Sequence, residues 1–550
     1  MPGKRLDLSF LFAIFLGLKL YAQPGGNDSS FVFDEVEVVA DRLNAKVPGL
    51  NTTSFDSGTT QLYQQLNLAD LLTNETGVFI RSYGLGSLAT PAMRGGSAYH
   101  TAVLWNGFSL SSPMNGQVDL SLIPLSSTDD VQIQHGGSSA LFGSGAISGV
   151  VHLSNHPTFD QGFTAELALQ AGSFSDFRQQ LMLQWSQKKY VSKLKVFHAF
   201  AQNDFPFQNP YSPEGEDRRQ THAEFRNWGI ISENRWRLGN GEELSFNAWW
   251  QHTDRNIPPT LLQDQGSAQQ EDQNLRLTTE WTKNRDRWTH QLRVAYFQEG
   301  LLFDDSIAGI SDLTRAQQLI AEGESRLRLN ASHSFNFGLH NTFATADHPN
   351  FDNSAQQNRF ALFASHSFLS INKKWQSQVS ARTEWLDGTA VPFTFSAGVD
   401  YRVLSWLMAK SSFSRVYRIP TLNDLYWRPG GNTDLLPEEG YSGEIGLMVH
   451  DRFGKLDFTS EVTAYSRNID NWIIWMPGLS FWQPQNIASV WSRGIESNTQ
   501  VKMQLGKVSF TIGLTTNYVL STNQKARSTN DQALNKQHSN QLQDLQDKRC

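Results

Sequence analysis

Leu68-Ala-Asp70-Leu-Leu72-Thr-Asn-Glu-Thr-Gly77-Val-Phe-Ile80, Pro91-Ala-Met-Arg94-Gly95-Gly96, Val103-Leu-Trp105-Asn106-Gly107 and Gly136-Gly137-Ser-Ser-Ala140-Leu-Phe-Gly143-Ser-Gly145-Ala-Ile-Ser-Gly149 all lie within residues 68–155. Short β-type runs alternate here with glycine turns. Leu62, Leu66, Leu68, Leu71 and Leu72 have near-helical spacing, which predicts a helix over 60–73. Gly77 stops it, Val78 to Arg81 reads as a strand, and Thr101 to Trp105 is a buried-type strand closed by the Asn106-Gly107 turn. Five glycines fall within residues 136–149. A phosphate loop would need a following Gly-Lys-Ser/Thr, which is missing, so close backbone packing explains them better. The stretch carries no metal-ligand cluster and no nucleophile triad. Residues 55–157 therefore read as a small α+β unit built to fill a space.

Composition bounds what that space is. A chain of 550 residues is too long for one ordinary domain unless that domain is a large barrel. Charged residues are 18%, below the usual quarter of a soluble chain, and the net charge of −7 offers no basic footprint for nucleic acid. The single cysteine, Cys550, excludes an internal disulfide framework and a cysteine-based zinc site. No apolar run of helix-spanning length follows the first 20 residues, but β-barrel strands are short and half polar and escape that test.

The N-terminus reads as an export signal over residues 1–22: Lys4 and Arg5, an apolar run from Leu8 to Leu18, then Leu20-Tyr21-Ala22 before a cut. Residues 23–54 form a linker. Within it lies Val36-Glu37-Val38-Val39-Ala40, a β-prone run among polar residues. On these residues alone, capture by another protein's sheet edge and an ordinary first strand stay equally open.

From Phe163 to about Leu520 the pattern has a period of two. Leu275, Leu277 and Trp281 alternate with Arg276, Thr278 and Glu280; Phe335, Phe337 and Leu339 alternate with Asn336, Gly338 and His340. About 17 or 18 such strands are legible by alternation, many starting or ending on an aromatic residue. Tight turns such as Gly239-Asn240-Gly241 alternate with long polar loops over 203–219, 256–274, 303–315, 347–358 and 424–440. Short turns on one side and long loops on the other belong to a membrane barrel.

With these pieces in order, the chain resembles TonB-dependent outer-membrane receptors over nearly its whole length. The plug resemblance lies in Leu71-Leu72…Gly77-Val78, Arg94-Gly95-Gly96, Val103 to Gly107 and Gly136 to Gly149. The barrel resemblance is sharpest at Phe413-Ser-Arg-Val-Tyr-Arg418-Ile-Pro420-Thr-Leu-Asn423-Asp424-Leu-Tyr-Trp427, and recurs at Asn432 to Glu438, Asn486 and Gly494-Ile-Glu496. Asn423 to Trp427 followed by Asn432 to Glu438 is most similar to the cobalamin receptor branch. The resemblance implies a mainly β fold: a transmembrane antiparallel β-barrel of ~22 strands with an N-terminal α+β plug in its lumen. It also makes Val36, Glu37, Val38, Val39 and Ala40 the TonB box, which joins a periplasmic energy-coupling protein by strand addition. The usual Thr before the final Ala is absent.

The function so implied is not enzymatic. A monomer in the outer membrane of a Gram-negative cell binds a scarce, large ligand outside and imports it with energy from the inner-membrane proton gradient. The ligand expected is cobalamin. An iron siderophore or haem is the alternative, and a non-transporting surface adhesin barrel is the alternative of another class. Ligand contacts are expected at the plug apices 82–92 and 108–117, with Tyr83, Trp105, Met114 and Asn115 as candidates, although plug core is the favoured reading of Trp105. Arg94, Gly95, Gly96, Gly143, Gly145 and Gly149 are expected to be structural plug residues, with Arg94 reaching the barrel wall. No cofactor is expected. Asp204, Glu214, Glu216 and Asp217 could hold calcium, as cobalamin receptors do in such a loop, but a solvated acidic loop fits them better because their spacing is irregular.

Residues 521–550 are polar, show no alternation and end on Lys548-Arg549-Cys550, unlike the terminal aromatic of the family. The barrel, 158–520, is then expected to stop about four strands short, with a truncation or frameshift near residue 537. An open barrel leaves strand edges unpaired in lipid, at several kcal/mol per group. It should run on gels without a compact heat-shifted band, and a compact, heat-shifted band contradicts the expectation.

Overall fold

The computed structural model describes residues 47–55, 57–84, 86–211, 217–505 and 508–524. The signal, the Val36–Ala40 run, Glu214, Glu216 and residues 525–550 lie outside the described residues. Two bodies are seen, one inside the other.

The inner body is the plug. Strands β1 (Thr52–Ser54), β4 (Thr101–Trp105), β5 (Phe108–Ser109), β6 (Asp130–His135) and β7 (Gly149–Ser154) form one sheet, in the order β1-β6-β7-β4-β5. The β4–β7 pair is parallel and the others are antiparallel. β2 (Phe79–Ser82) and β3 (Ala89–Ala92) make a separate hairpin. The single helix expected over 60–73 is two: α1 (Ser57–Leu62) and α2 (Leu68–Glu75). Asn67 breaks them apart because its side chain caps α2, accepting from the Asp70 amide at 3.0 Å while Asp70 accepts from the Asn67 amide. Leu68, Leu71 and Leu72 are fully buried, and β4 and β7 bury nearly every residue, as a parallel pair covered on both faces requires. A third helix, α3 (Ser139–Phe142), sits in the glycine-rich run.

The outer body is an antiparallel sheet running from Gly162–Ala171 to Val508–Asn523, each strand paired to the next. Its alternation is inverted relative to a soluble protein. Leu292 and Val294 are 57% and 47% exposed, while Arg293 between them is 1% exposed. Phe337 and Leu339 point out in the same way while Asn336 points in. Apolar side chains face outward and polar ones fill the lumen, which is the arrangement hydrocarbon imposes on a barrel. No helix among the described residues is long and apolar enough to cross a membrane.

Among the described residues eighteen strand segments make up this sheet, and Thr389–Ala390 is a short piece of the crossing that continues as Thr394–Leu404. That leaves an odd number of crossings. The first and last therefore run in the same direction and cannot meet as an antiparallel pair. Among the described residues no residue-by-residue pairing joins Val508–Asn523 to Gly162–Ala171, and both strands are exposed over most of their length. The last strand extends to Asn523, past the expected boundary at 520.

The loops are shorter than the sequence suggests. Residues 303–315 reduce to a turn between Trp288–Asp305 and Ile310–Arg328, and the loop expected over 256–274 ends where Ala268–Arg285 begins. Strand ends such as Gln269-Gln-Glu-Asp-Gln-Asn274 carry polar residues on both faces, so they lack alternation although they are paired.

Trp105 of β4 is fully buried and meets Trp249 of the wall edge to face, centroids 5.5 Å apart. Trp105→Ala should lower plug stability by about 3–5 kcal/mol, read by urea titration of plug proteolysis. A loss under about 1 kcal/mol would remove Trp105 from the core.

Candidate functional site

Two regions carry the chemistry: the face where the plug meets the wall, and the plug apices at the mouth.

Arg94 stands just after β3, with a positive φ of 51°, followed by Gly95 at 69°. This turn throws the guanidinium into the wall. Nη2 donates to Glu496 Oε2 at 2.7 Å and Nε donates to the same carboxylate, while Nη1 bonds Glu444. Arg467 of the wall donates to the Arg94 carbonyl at 2.9 Å and to the Ser148 hydroxyl at 2.6 Å. Burial alone would lower the Arg94 guanidinium, but the two carboxylates outweigh it and hold it above its ordinary value. A Cβ at Gly95 would lie 2.1 Å from Ser521 Oγ, so only glycine lets the turn come this close to the wall. Gly96 is held as closely by Ser148, and Gly149 by Met93 and Gln134. Gly143 and Gly145 both have positive φ and bring α3 against the wall, where the Gly145 amide donates to the Tyr417 carbonyl.

Two plug histidines join this face. His100 Nδ1 accepts from the Ser97 amide, so its proton lies on Nε2, which donates to Glu438 at 2.6 Å. His135 Nδ1 lies 3.8 Å from Glu496. Burial pushes His100 below its ordinary value against the pull of Glu438, and pushes His135 down to about 4 against that of Glu496. Both are neutral at neutral pH. No motif spacing marked either residue in the sequence.

The opposite side of the plug is fastened separately. Asp129 takes Lys193 at 2.7 Å and Lys195 at 3.0 Å, and Lys195 also meets Glu233 at 2.8 Å. Burial would raise the Asp129 carboxyl, but the two ammonium groups hold it well below the carboxylate range. Asn155 donates to Glu233 at 2.9 Å, and Asp119 takes Arg255 at 2.7 Å.

At the mouth, Tyr83 is 64% exposed on the loop after β2. Met114 and Asn115 lie on the loop after β5. Met114 is buried against Leu422, Phe351 and Ala346, and Asn115 accepts from the Gln117 amide. The loop is clasped by a short helix, α4 (Leu422–Tyr426), which overlaps the start of the long loop expected over 424–440. The Asn423 amide donates to the Met114 carbonyl at 2.9 Å, and Thr421 with Asp424 closes a capping box. Thr421-x-x-Asp424 was the legible signal for it. Of the four ligand candidates, Tyr83 is exposed and Asn115 half-buried, while Trp105 and Met114 are packed. Among the calcium candidates, Asp204 pairs with Arg219 at 2.7 Å and Asp217 lies in a hairpin strand opposite Gln208.

The family model described as TonB-dependent Receptor Plug Domain matches residues 40–150, and the one described as TonB dependent receptor-like, beta-barrel matches residues 242–545. The vitamin B12 transporter BtuB of Photobacterium profundum is 25% identical over 448 residues, 79% of this chain and 70% of that protein. The one from Vibrio vulnificus strain YJ016 is 23% identical over 484 residues, 84% and 75%. Among solved structures, the Serratia marcescens hemophore receptor HasR has a TM-score of 0.71 at 13% identity, covering 86% of this chain and 82% of that one. The siderophore receptor PirA of Pseudomonas aeruginosa has 0.67 at 15%, covering 87% and 86%. These structures share the fold.

Arg94→Ala strips a buried partner from two carboxylates at once, which should cost about 3–5 kcal/mol of plug docking, read as protease release of the plug. The pH response follows from the histidines. A base held below its unfolded value takes up its proton more readily when undocked, so docking is strongest above pH ~6.5 and weakens as pH falls toward 4. His135→Gln should flatten part of that slope in the same assay; an unchanged slope contradicts the assignment.

Proposed function

The chain belongs to the family of TonB-dependent outer-membrane receptors, and on that footing we propose that its ligand is cobalamin, taken at the outer face and passed to the periplasm. Receptors of this family are transporters and not enzymes, and the barrel crosses the outer membrane with a plug in its lumen. The finer reading is carried by the likeness to the two vitamin B12 transporters, which spans both plug and barrel. The rival reading, an iron siderophore or haem, is favoured by the siderophore and hemophore receptors of like fold, at far lower identity.

The steps need no covalent chemistry. Ligand settles on the exposed part of the plug apices, around Tyr83 and Asn115, and on the loop that carries α4. A ligand that binds one plug arrangement better than another shifts the population toward it. The Val36–Ala40 run is then offered to the periplasm, where a TonB-type partner adds it to a sheet edge and pulls. Ionic and hydrogen-bonded fastenings suit a plug that must let go and return, because each can be remade without chemistry.

Purified receptor should bind labelled cobalamin and ignore ferric siderophore; binding of the siderophore alone overturns the ligand. Deleting residues 36–40 should leave cobalamin binding unchanged and abolish uptake into cells. Uptake that survives the deletion removes the box from the mechanism.

A further inference from the structure

The plug does not fill its side of the lumen evenly. A cavity of about 100 Å³ lies under the apex loop, between the plug and the wall strands Ile310–Arg328, His333–Asp347, Ala355–Leu369 and Trp375–Leu386. That is room for several waters in a polar site. On the plug side it is lined by the small residues Ser109, Ser111 and Gly145 and by the bulkier Tyr99, Phe108 and Phe142. On the wall side stand Gln318, Thr342, Ala344, Gln357, Arg359 and Arg382.

The ionic fastenings are placed elsewhere, while at the cavity rim the Ile419 amide donates to the Ser144 hydroxyl, the Gly145 amide to the Tyr417 carbonyl and the Leu422 amide to the Pro113 carbonyl. Arg94, His100 and Ser148 bind the strands from Glu438 to Leu505, and Asp119, Asp129 and Asn155 bind the strands from Tyr190 to Asn256. From the strands Trp288–Asp305 and Ile310–Arg328, hydrogen bonds reach the apex loop at the Ser111 carbonyl, from Gln318 Nε2 at 3.1 Å, and at Ser112, with Glu299. α3 also packs on Trp375–Leu386, bringing Gly143 within contact of Arg359 and Arg382. Those two guanidiniums share one carboxylate, Glu384, each at 2.9 Å. Two cations on one anion make this corner of the wall locally positive, with Glu322 lining the cavity further along.

We propose that this cavity is the start of the ligand's route past the plug, and that the wall from Gln318 to Arg382 is a transit subsite for a ligand rich in hydrogen-bond acceptors, such as amide carbonyls and a phosphate. The inference rests on the receptor reading above. Guanidinium and carboxamide side chains meet such groups with fork-like donors, and the plug can retreat from this side without breaking its main ionic fastenings.

The test uses the full-length receptor in cells, with Cys550→Ser to clear the single native thiol. Ala344→Cys places a thiol on the cavity wall, and Thr253→Cys places one on the fastened wall, where Thr253 is fully buried. Both exchanges are close in size. Energised cells given cyanocobalamin are treated with a bulky maleimide, then assayed for cyanocobalamin binding and uptake. The Ala344→Cys protein should label at least ten-fold faster during transport than in de-energised cells, and then still bind while uptake falls at least ten-fold. The Thr253→Cys protein should label slowly throughout. Uptake that survives full labelling at position 344, or acceleration at 253 without acceleration at 344, overturns the route. Absence of cyanocobalamin binding before any labelling overturns the ligand reading itself, and this subsite with it.

Discussion

A guanidinium buried between two carboxylates organises this molecule. Arg94 comes from the plug, and Glu444 and Glu496 come from strands brought together only when the wall is folded. A buried charge without partners is untenable, so the plug cannot leave this position without an exchange of partners, and the wall cannot lose the plug without stranding two acids. The turn that delivers Arg94 needs the glycine beside it, because the Ser521 hydroxyl occupies the place of a side chain. One short stretch of sequence therefore sets the depth and rotation of the plug.

Around that pair, the lumen behaves as a polar interior enclosed by an apolar outside. The wall strands point Arg, Glu, Gln and Asn inward, and the plug answers with His100, His135, Asp119 and Asp129 at chosen heights. Buried ionic contacts of this kind add little net stability, since desolvation offsets much of the attraction. They do add geometric definition, and they are costly to break one-sidedly. A plug held by them is fixed in depth and rotation by partners that can be exchanged without covalent chemistry.

How far the sequence could be read depends on which face each residue serves. The period-two alternation revealed the barrel because lipid demands an apolar residue at every second position, as at Leu292 and Val294. It failed at the upper strand ends, where both faces are polar, and so loops were drawn too long around 268–274 and 310–315. The α1–α2 break was missed because leucine spacing runs across it, and the Asn67 cap that divides them is a local hydrogen-bond event. Arg94-Gly95-Gly96 was legible as a structural unit. Its partners were not, since Glu444 and Glu496 look like any other inward-facing acids until the strands are set side by side. Trp105 lies in the core, and Met114 is buried under α4, a cover that a loop methionine in sequence does not reveal.

The most direct measure of this account is a double-mutant cycle on the Arg94 contact. Arg94→Met, Glu496→Gln and the double variant would be compared by the free energy of plug release under graded urea, with limited proteolysis as the readout. Coupling of about 2 kcal/mol or more between the two sites is the predicted result, because Arg94→Met strands the Glu496 carboxylate, the double change relieves it, and the loss at Glu444 is the same in both. Additive losses, with coupling near zero, would contradict the claim that this ion pair holds the plug in the wall.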